Sequence, residues 1–311
     1  TPKKSPAVAT VYAHLEGMMG WTEFDMKLRD DFIYFTGVCH ETDTCFTFMN
    51  VLRQQESVEG FPGEALPSTV FYFTKQGVTD WASLLSYGDM QETGVRTSDV
   101  RNRNRELSHY LMENAGQELV ACLFQREDTL QEAAAVLSLS VSDVTEAERM
   151  LRSLINTVSA EERGKTPLIT FCYTANKAYP VYRLPQTTLF TQLTSFVEPS
   201  MHVYATFYGG RLLLAPDEDS LLRYIRQLDN GEVLDGALAY RAGTDGLSDS
   251  YHFMLMADFA HVLDQSGYQV RYVPEFFLRN SDFFRNFVLF AQFTCADGVV
   301  YPNLVLKYKS E

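Results

Sequence analysis

The sequence predicts an α+β protein made of two similar lobes of mainly antiparallel, curled sheets, each packed by short helices. Three observations predict this fold class. Phe and Tyr, at 22 and 17 residues, are concentrated in apolar runs of strand length. Short amphipathic helix patterns and turn residues separate these runs. The order of the elements also occurs twice, and 311 residues exceed the usual size of one hydrophobic core.

The first predicted element is a hairpin over residues 21–38. Its first strand alternates Phe24, Met26 and Leu28 with charged residues, which is typical of a half-buried strand. A polar turn then leads into the apolar run FIYFTGV. The aromatic residues on both sides of this second strand favour a covered sheet.

The rest of the first lobe alternates strands and helices. Thr145 and Glu148 fit a capping box at the start of its last helix. In order, the predicted elements are a strand over 70–73, a helix over 79–85 that ends near Gly88, a helix over 101–115, a strand over 118–124 and a helix over 145–158.

The second lobe repeats this mixture and carries the clearest helix of the chain. Acidic residues at 217–219 crowd the positive N-terminal end of that helix, and Gly231 follows its end. Pro302 in the last strand indicates an edge position or a bulge. The predicted elements are a strand over 168–173, a short helix with Leu189, Phe190, Leu193 and Phe196, a hairpin over 202–215 turned at Gly209-Gly210, a helix over 217–228, a strand over 251–258, a helix over 259–264 and a terminal hairpin turned at Asp297-Gly298.

A polar break over 159–166 gives the predicted domain boundary. It divides the chain into an N-terminal lobe, 1–160, and a C-terminal lobe, 161–311, which could pack as one continuous unit. The windows 21–85 and 202–264 share the order of hairpin, short segment, loop, buried strand and short helix. We therefore expect an internal duplication.

The charge of the chain narrows the range of partners. A net charge of −14 disfavours nucleic acid and anionic membrane surfaces, because both would repel the protein. No apolar run reaches the roughly 18 residues of a membrane span. The polar start TPKKSPAVAT is compatible with a signal or anchor trimmed from this chain.

The common catalytic signatures are missing from the sequence. It has no phosphate-binding Gly loop, dinucleotide fingerprint, His-Glu-x-x-His or Gly-x-Ser-x-Gly motif. We therefore predict no catalytic residue and no cofactor, and favour a protein that is not an enzyme. A site assembled from distant positions stays open as an alternative.

The segment VCHETDTC contains the densest group of reactive side chains. Cys39, His40, Asp43 and Cys45 are metal-ligand types, but no second Cys pair completes a zinc site. A disulfide between Cys39 and Cys45 is favoured over a metal, and two unpaired thiols remain an equal alternative. Cys122 and Cys172 lie in apolar runs and are expected in the core.

Segments spread over nearly the whole chain resemble an uncharacterised family. These include GWTEFDMKLRDDFIYFTG, ALPSTVFYF, NAGQELVACLF, LLLAPDEDSLLRYIRQLDNGEVLDG, LSDSYHFMLMADF and FAQFTCADGVVYPNLVLKYKS. Their order is similar to that of the domain of unknown function 3352 type, found in envelope-anchored proteins of Gram-negative anaerobes. The resemblance implies an extracytoplasmic protein with an N-terminal anchor outside this chain, and it supplies no catalytic residue. It also favours the oxidising compartment that a Cys39–Cys45 bridge needs.

Three functional hypotheses follow. The first is a non-enzymatic module of the cell envelope, in the periplasm or at the surface, that binds a protein partner through sheet edges or loops. The second is a carrier of an apolar ligand in a sheet-lined cavity. The third is a hydrolase or thiol enzyme with a site invisible in the sequence.

Overall fold

The protein is an α+β structure with a large antiparallel sheet, as the sequence predicts. This computed structural model describes residues 17–41, 47–91, 96–126, 129–156, 168–175, 177–194, 200, 202–264 and 273–309.

The elements within these residues include fourteen strands and ten α-helices. The strands are β1 (Trp21–Arg29), β2 (Phe32–His40), β3 (Val58–Glu59), β4 (Val70–Gly77), β5 (Ala115–Arg126), β6 (Thr129–Val141), β7 (Ile169–Tyr173), β8 (Ala178–Arg183), β9 (Tyr204–Tyr208), β10 (Arg211–Ala215), β11 (Ser250–Tyr251), β12 (Phe253–Asp258), β13 (Phe287–Ala296) and β14 (Val299–Tyr308). The helices are α1 (Phe48–Leu52), α2 (Trp81–Gln91), α3 (Ser98–Asn114), α4 (Val144–Asn156), α5 (Leu189–Leu193), α6 (Glu218–Asp229), α7 (Leu238–Thr244), α8 (Phe259–Asp264), α9 (Glu275–Arg279) and α10 (Ser281–Phe284).

Twelve of the strands form one sheet. Their order is β1-β2-β14-β13-β12-β4-β5-β6-β10-β9-β8-β7, and β3 pairs with β11 separately. The last strand of the chain, β14, lies between β2 and β13, and each of these pairings is antiparallel. One sheet therefore contains strands from both predicted lobes.

The central strand β5 separates two cores because its side chains alternate between the faces of the sheet. Leu119, Ala121 and Leu123 point to the first face, where they pack with residues of α2, α3, α4 and α5. Val120 and Phe124 point to the second face, where they pack with residues of α6 and α7. All these side chains are buried.

Turn and cap chemistry agrees with several sequence predictions. Gly209 and Gly210 both have positive φ, +55° and +78°, as the tight turn between β9 and β10 requires. Asp217 caps α6, and its carboxylate accepts a hydrogen bond from the backbone N–H of Ser220 at 2.7 Å. Helix formation therefore explains the acidic cluster at 217–219.

The predicted half-buried strand over Phe24, Met26 and Leu28 is wrong in its burial. These side chains are 41, 59 and 68% exposed. The alternation of apolar and charged residues is present, but β1 is the end strand of the sheet. An edge strand has a neighbour on one side only, which leaves its apolar face with less cover.

Three smaller predictions also need correction. Helix α2 continues through Gly88 to Gln91, and at Gly88 a Cβ would come within 2.7 Å of the backbone oxygen of Gln192. The glycine therefore permits close packing against α5. Asp143, rather than Thr145, caps α4, because its carboxylate accepts from the N–H groups of Thr145 and Glu146.

Pro302 lies in an interior strand and not at an edge. It faces Phe293 of β13, while the pairing with β2 stops after Val300 and resumes at Asn303 without a change of register. The ladder is interrupted at the position where proline offers no N–H.

Parts of some predictions fall on residues outside the described ranges. Val158 and Phe196 are among them, as is the boundary at residue 160. The curl of the sheet and the duplication of two lobes stay predictions.

Candidate interaction surface

Strand β1 ends the sheet on one side, and its outward side pairs with no other strand in the described part of the chain. Phe24, Met26 and Leu28 project from the first face, because they lie opposite residues of β2 on that face. Met26 faces Phe35 and Leu28 faces Ile33. The result is an exposed apolar strip beside a free row of backbone donors and acceptors.

Strand β7 ends the sheet on the other side. Ile169, Phe171 and Tyr173 are between 37 and 66% exposed. Cys172 points to the second face, where its thiol lies 3.8 Å from the backbone oxygen of Glu218. Both ends of the sheet therefore expose three apolar side chains at strand spacing.

Cys39 and His40 point in opposite directions at the end of β2. The thiol of Cys39 is buried in a cluster with Met49, Phe293 and Val300. The ring of His40 is exposed, with its centroid 5.2 Å from that of Trp21. The structure does not bring the two side chains together.

The surroundings of Cys39 disfavour a thiolate. Burial raises the pKa of the Cys39 thiol to about 11, and the carboxylate of Glu41 adds to this effect. The thiol donates a hydrogen bond to Glu41 over 3.1 Å, and the hydroxyl of Thr22 donates to its sulfur over 3.3 Å. A nucleophilic cysteine needs the opposite shift in pKa.

Asp43 and Cys45 lie outside the described residues. The predicted bridge between Cys39 and Cys45 and the alternative metal site stay predictions. Cys39, Cys122, Cys172 and Cys295 form no disulfide with one another. Cys122 and Cys172 are buried, as predicted.

A group of charged side chains on the second face was missed by the sequence predictions. The ammonium of Lys75 lies 2.8 Å from one carboxylate oxygen of Glu118, and the guanidinium of Arg211 lies 2.5 Å from the other. Arg211 also donates to the hydroxyl of Ser138 over 2.6 Å. The four residues come from the neighbouring strands β4, β5, β6 and β10.

The charges of this group satisfy one another. Burial alone would raise the pKa of Glu118, but the hydrogen bond from Lys75 and the positive charges of Arg211 and Lys75 lower it overall. Lys75 also donates to the backbone oxygens of Glu59 and Gly60, at 3.0 Å each. All three protons of its ammonium are thus bound, which is typical of a structural ion cluster.

A sequence signal for this cluster exists in the spacing of its members. Lys75 follows Phe73 by two residues, Glu118 precedes Val120 by two, and Arg211 precedes Leu213 by two. Each charged side chain therefore points to the second face of the sheet, as does the buried apolar side chain two positions away in the same strand. Charged residues with that spacing must pair when they enter a covered sheet.

Described residues line cavities on both faces of the sheet. One of about 190 Å³ lies over the ion cluster and is also lined by Phe61, Leu66 and Tyr224. The other, of about 410 Å³, is lined by residues of α3 and α4, among them His109 and Met150. Both linings mix charged and apolar groups, and the apolar-ligand carrier stays a prediction.

The described residues hold no group of three or more His, Cys, Asp or Glu side chains that could bind a metal ion. None of their helices combines the length and the apolar character needed to cross a membrane. The comparisons with known protein families and with curated proteins found no match to this chain.

Proposed function

We propose that this chain is a non-enzymatic binding module of the cell envelope that holds a protein partner at the exposed edges of its sheet. The observation that carries this proposal is the β1 edge, where an open backbone row lies beside exposed Phe24, Met26 and Leu28. An added strand would satisfy the backbone groups, and the apolar strip would select its side chains.

The chemistry of the remaining groups supports binding over catalysis. The pKa of the Cys39 thiol is raised, and the ammonium of Lys75 has its protons bound. The net charge of −14 favours a protein partner over nucleic acid. The location in the envelope, outside the cytoplasm, is supported by the family resemblance of the sequence.

The internal duplication is part of the same proposal. Each end of the sheet is an exposed edge strand with three apolar side chains on the first face. Duplicated lobes of curled sheet would give the module two comparable edges for partners.

Site-specific photocrosslinking in intact envelopes tests this function. A photoreactive phenylalanine analogue replaces Leu28 of β1 or Phe171 of β7, and a matched control carries it at Leu238 of α7, which is 83% exposed. We expect discrete protein adducts from the edge positions that the control does not give. Equal adducts from all three positions, or none from either edge, would overturn the proposal. Protease protection in intact cells and in osmotically opened cells tests the location separately.

A further inference from the structure

Strand β1 has a sequence that is complementary to itself when it runs antiparallel. Reading from Glu23 to Arg29, the residues are E-F-D-M-K-L-R. The acids occupy the first half and the bases the second, with Met26 at the centre. Antiparallel strands meet in opposite directions, so acids of one copy would face bases of the other.

The backbone of β1 permits pairing in this register. Arg29 faces Phe32 across a two-residue turn, and residues that flank such a turn bond to each other. Alternation along the ladder then directs the N–H and C=O groups of the even-numbered residues, including Met26, away from β2. The same alternation directs the carbonyl of Glu23 toward β2, and a Cβ on Gly37 would clash with that carbonyl oxygen.

From these features we infer that β1 pairs with β1 of a second copy of this chain about a two-fold axis at Met26. This inference rests on the proposed binding function of the β1 edge and names its partner. Asp25 faces Lys27 of the second copy and Glu23 faces its Arg29. On the other face Phe24 packs against Leu28 and the two Met26 side chains meet. The twelve-stranded sheet continues into the second copy.

Neighbouring registers lack this complementarity. A two-fold axis at Asp25 or Lys27 would place like charges directly opposite each other, which destabilises a strand pair. An axis at Phe24 would place Glu23 opposite Asp25, and one at Leu28 would place Lys27 opposite Arg29. Only the axis at Met26 pairs both acids with bases.

Charge also explains why this edge tolerates a second copy of an acidic chain. The protein carries −14 overall, whereas the two acids and two bases of β1 sum to zero. Charged residues on an edge strand usually hinder pairing with other strands. The charged residues of β1 would repel most other strands, but they are complementary to β1 of a second copy. Strand β7 has no charged residue, so it has no charge pattern that would favour pairing with β7 of a second copy.

Cysteine substitution in the purified full chain tests the register. The Cα atoms of the two Met26 residues would lie about 5.5 Å apart, a distance that a disulfide can span. M26C is therefore expected to give a disulfide-linked dimer under mild oxidation. L28C is the matched control, because the two Leu28 positions would lie roughly 13 Å apart. The wild-type protein shows how much disulfide-linked dimer the native cysteines form. Equal dimer formation by M26C and L28C would overturn the proposed register.

Charge exchange tests the partner. In sedimentation equilibrium, D25K and K27D are each expected to weaken the dimer on the order of 10- to 30-fold, because each turns two attractive pairs into repulsive ones. The double variant D25K/K27D restores opposite charges and is expected to recover the wild-type dissociation constant within about threefold. Failure of this rescue would contradict pairing of β1 with itself.

The two proposals fail in different ways. The purified wild type could stay monomeric while the edge positions give discrete adducts to another protein in the envelope. This result would overturn the self-pairing of β1 but would still support the proposed binding module. A monomer without edge adducts would overturn both.

Discussion

Strands β5 and β1 belong to the same sheet and have opposite surroundings. In β5 every side chain from Leu119 to Phe124 is buried, whereas in β1 almost every residue is exposed. Residues 119–124 of β5 form a continuous apolar run, whereas the sequence of β1 alternates apolar and charged residues. The central strand is therefore specified by packing on both faces, and the edge strand keeps side chains available for contacts with another molecule.

The comparison teaches that an apolar residue has a different role in each strand. In β5 it adds to the free energy of unfolding of one copy. In β1 it has little to pack against inside the copy, so its contribution appears only when a partner covers it. Four predictions test this contrast between the packed centre and the exposed edge of the sheet, from the largest expected effect on the free energy of unfolding to the smallest.

Truncation at the centre of the sheet should have the largest effect. Phe124 is fully buried, and its ring lies 6.0 Å from that of Tyr224. F124A removes this packing and leaves a cavity, so we expect the free energy of unfolding to fall by about 4 kcal/mol. Urea denaturation followed by circular dichroism measures the change. A loss below about 1 kcal/mol would contradict the two-sided burial of β5.

Removal of the central carboxylate should have the next largest effect. E118Q leaves the buried ammonium of Lys75 and the guanidinium of Arg211 without their common counter-charge. We expect a loss of about 3 kcal/mol in the free energy of unfolding. The matched control is E146Q, which removes a solvent-exposed ion pair with Arg149 and should lower the free energy of unfolding far less than E118Q. Similar losses in the two variants would mean that the cluster is not structural.

At acidic pH, the difference in the free energy of unfolding between wild type and E118Q should become smaller. The pKa of Glu118 is lower in the folded protein than in the unfolded chain, so its carboxylate stabilises the fold above the unfolded pKa of about 4.3. This stabilisation is lost as the pH falls through the lower, folded pKa. Urea denaturation at a series of pH values should show that wild type loses more stability than E118Q below about pH 4.3. Parallel losses would contradict the lowered pKa.

Substitution on the edge strand should have the smallest effect on a single copy. Leu28 is mostly exposed, so L28S should change the free energy of unfolding by less than about 0.5 kcal/mol. Urea denaturation at low protein concentration measures this, because pairing of copies then contributes little. A loss comparable to that of F124A would mean that a part of the same copy covers β1.

Local structure was the part of the fold that the sequence predicted well. The hairpin turn at Gly209-Gly210, the capped helix after Asp217 and the buried run of β5 each depend on a few adjacent residues. Turn conformation, capping and periodicity act over these short distances.

Contacts between distant strands explain what the sequence did not predict. The exposure of β1 and the interior position of Pro302 follow from the order of strands, which no short segment contains. The ion cluster likewise needs Lys75, Glu118 and Arg211 from three separate strands. Of the candidate residues in VCHETDTC, Cys39 and His40 diverge because adjacent residues of a strand point to opposite faces.

The position of β14 between β2 and β13 has a consequence for the order of folding. The β1–β2 hairpin precedes the other described strands in the chain, and the strand that covers its inner edge, Val299–Tyr308, is the last of the fourteen. Until that strand emerges from the ribosome, the hairpin has two open edges. Contacts so distant in sequence slow folding. The two acids and two bases of β1 flank only its outer edge, so they do not protect the inner edge of β2 from pairing with other strands during this interval.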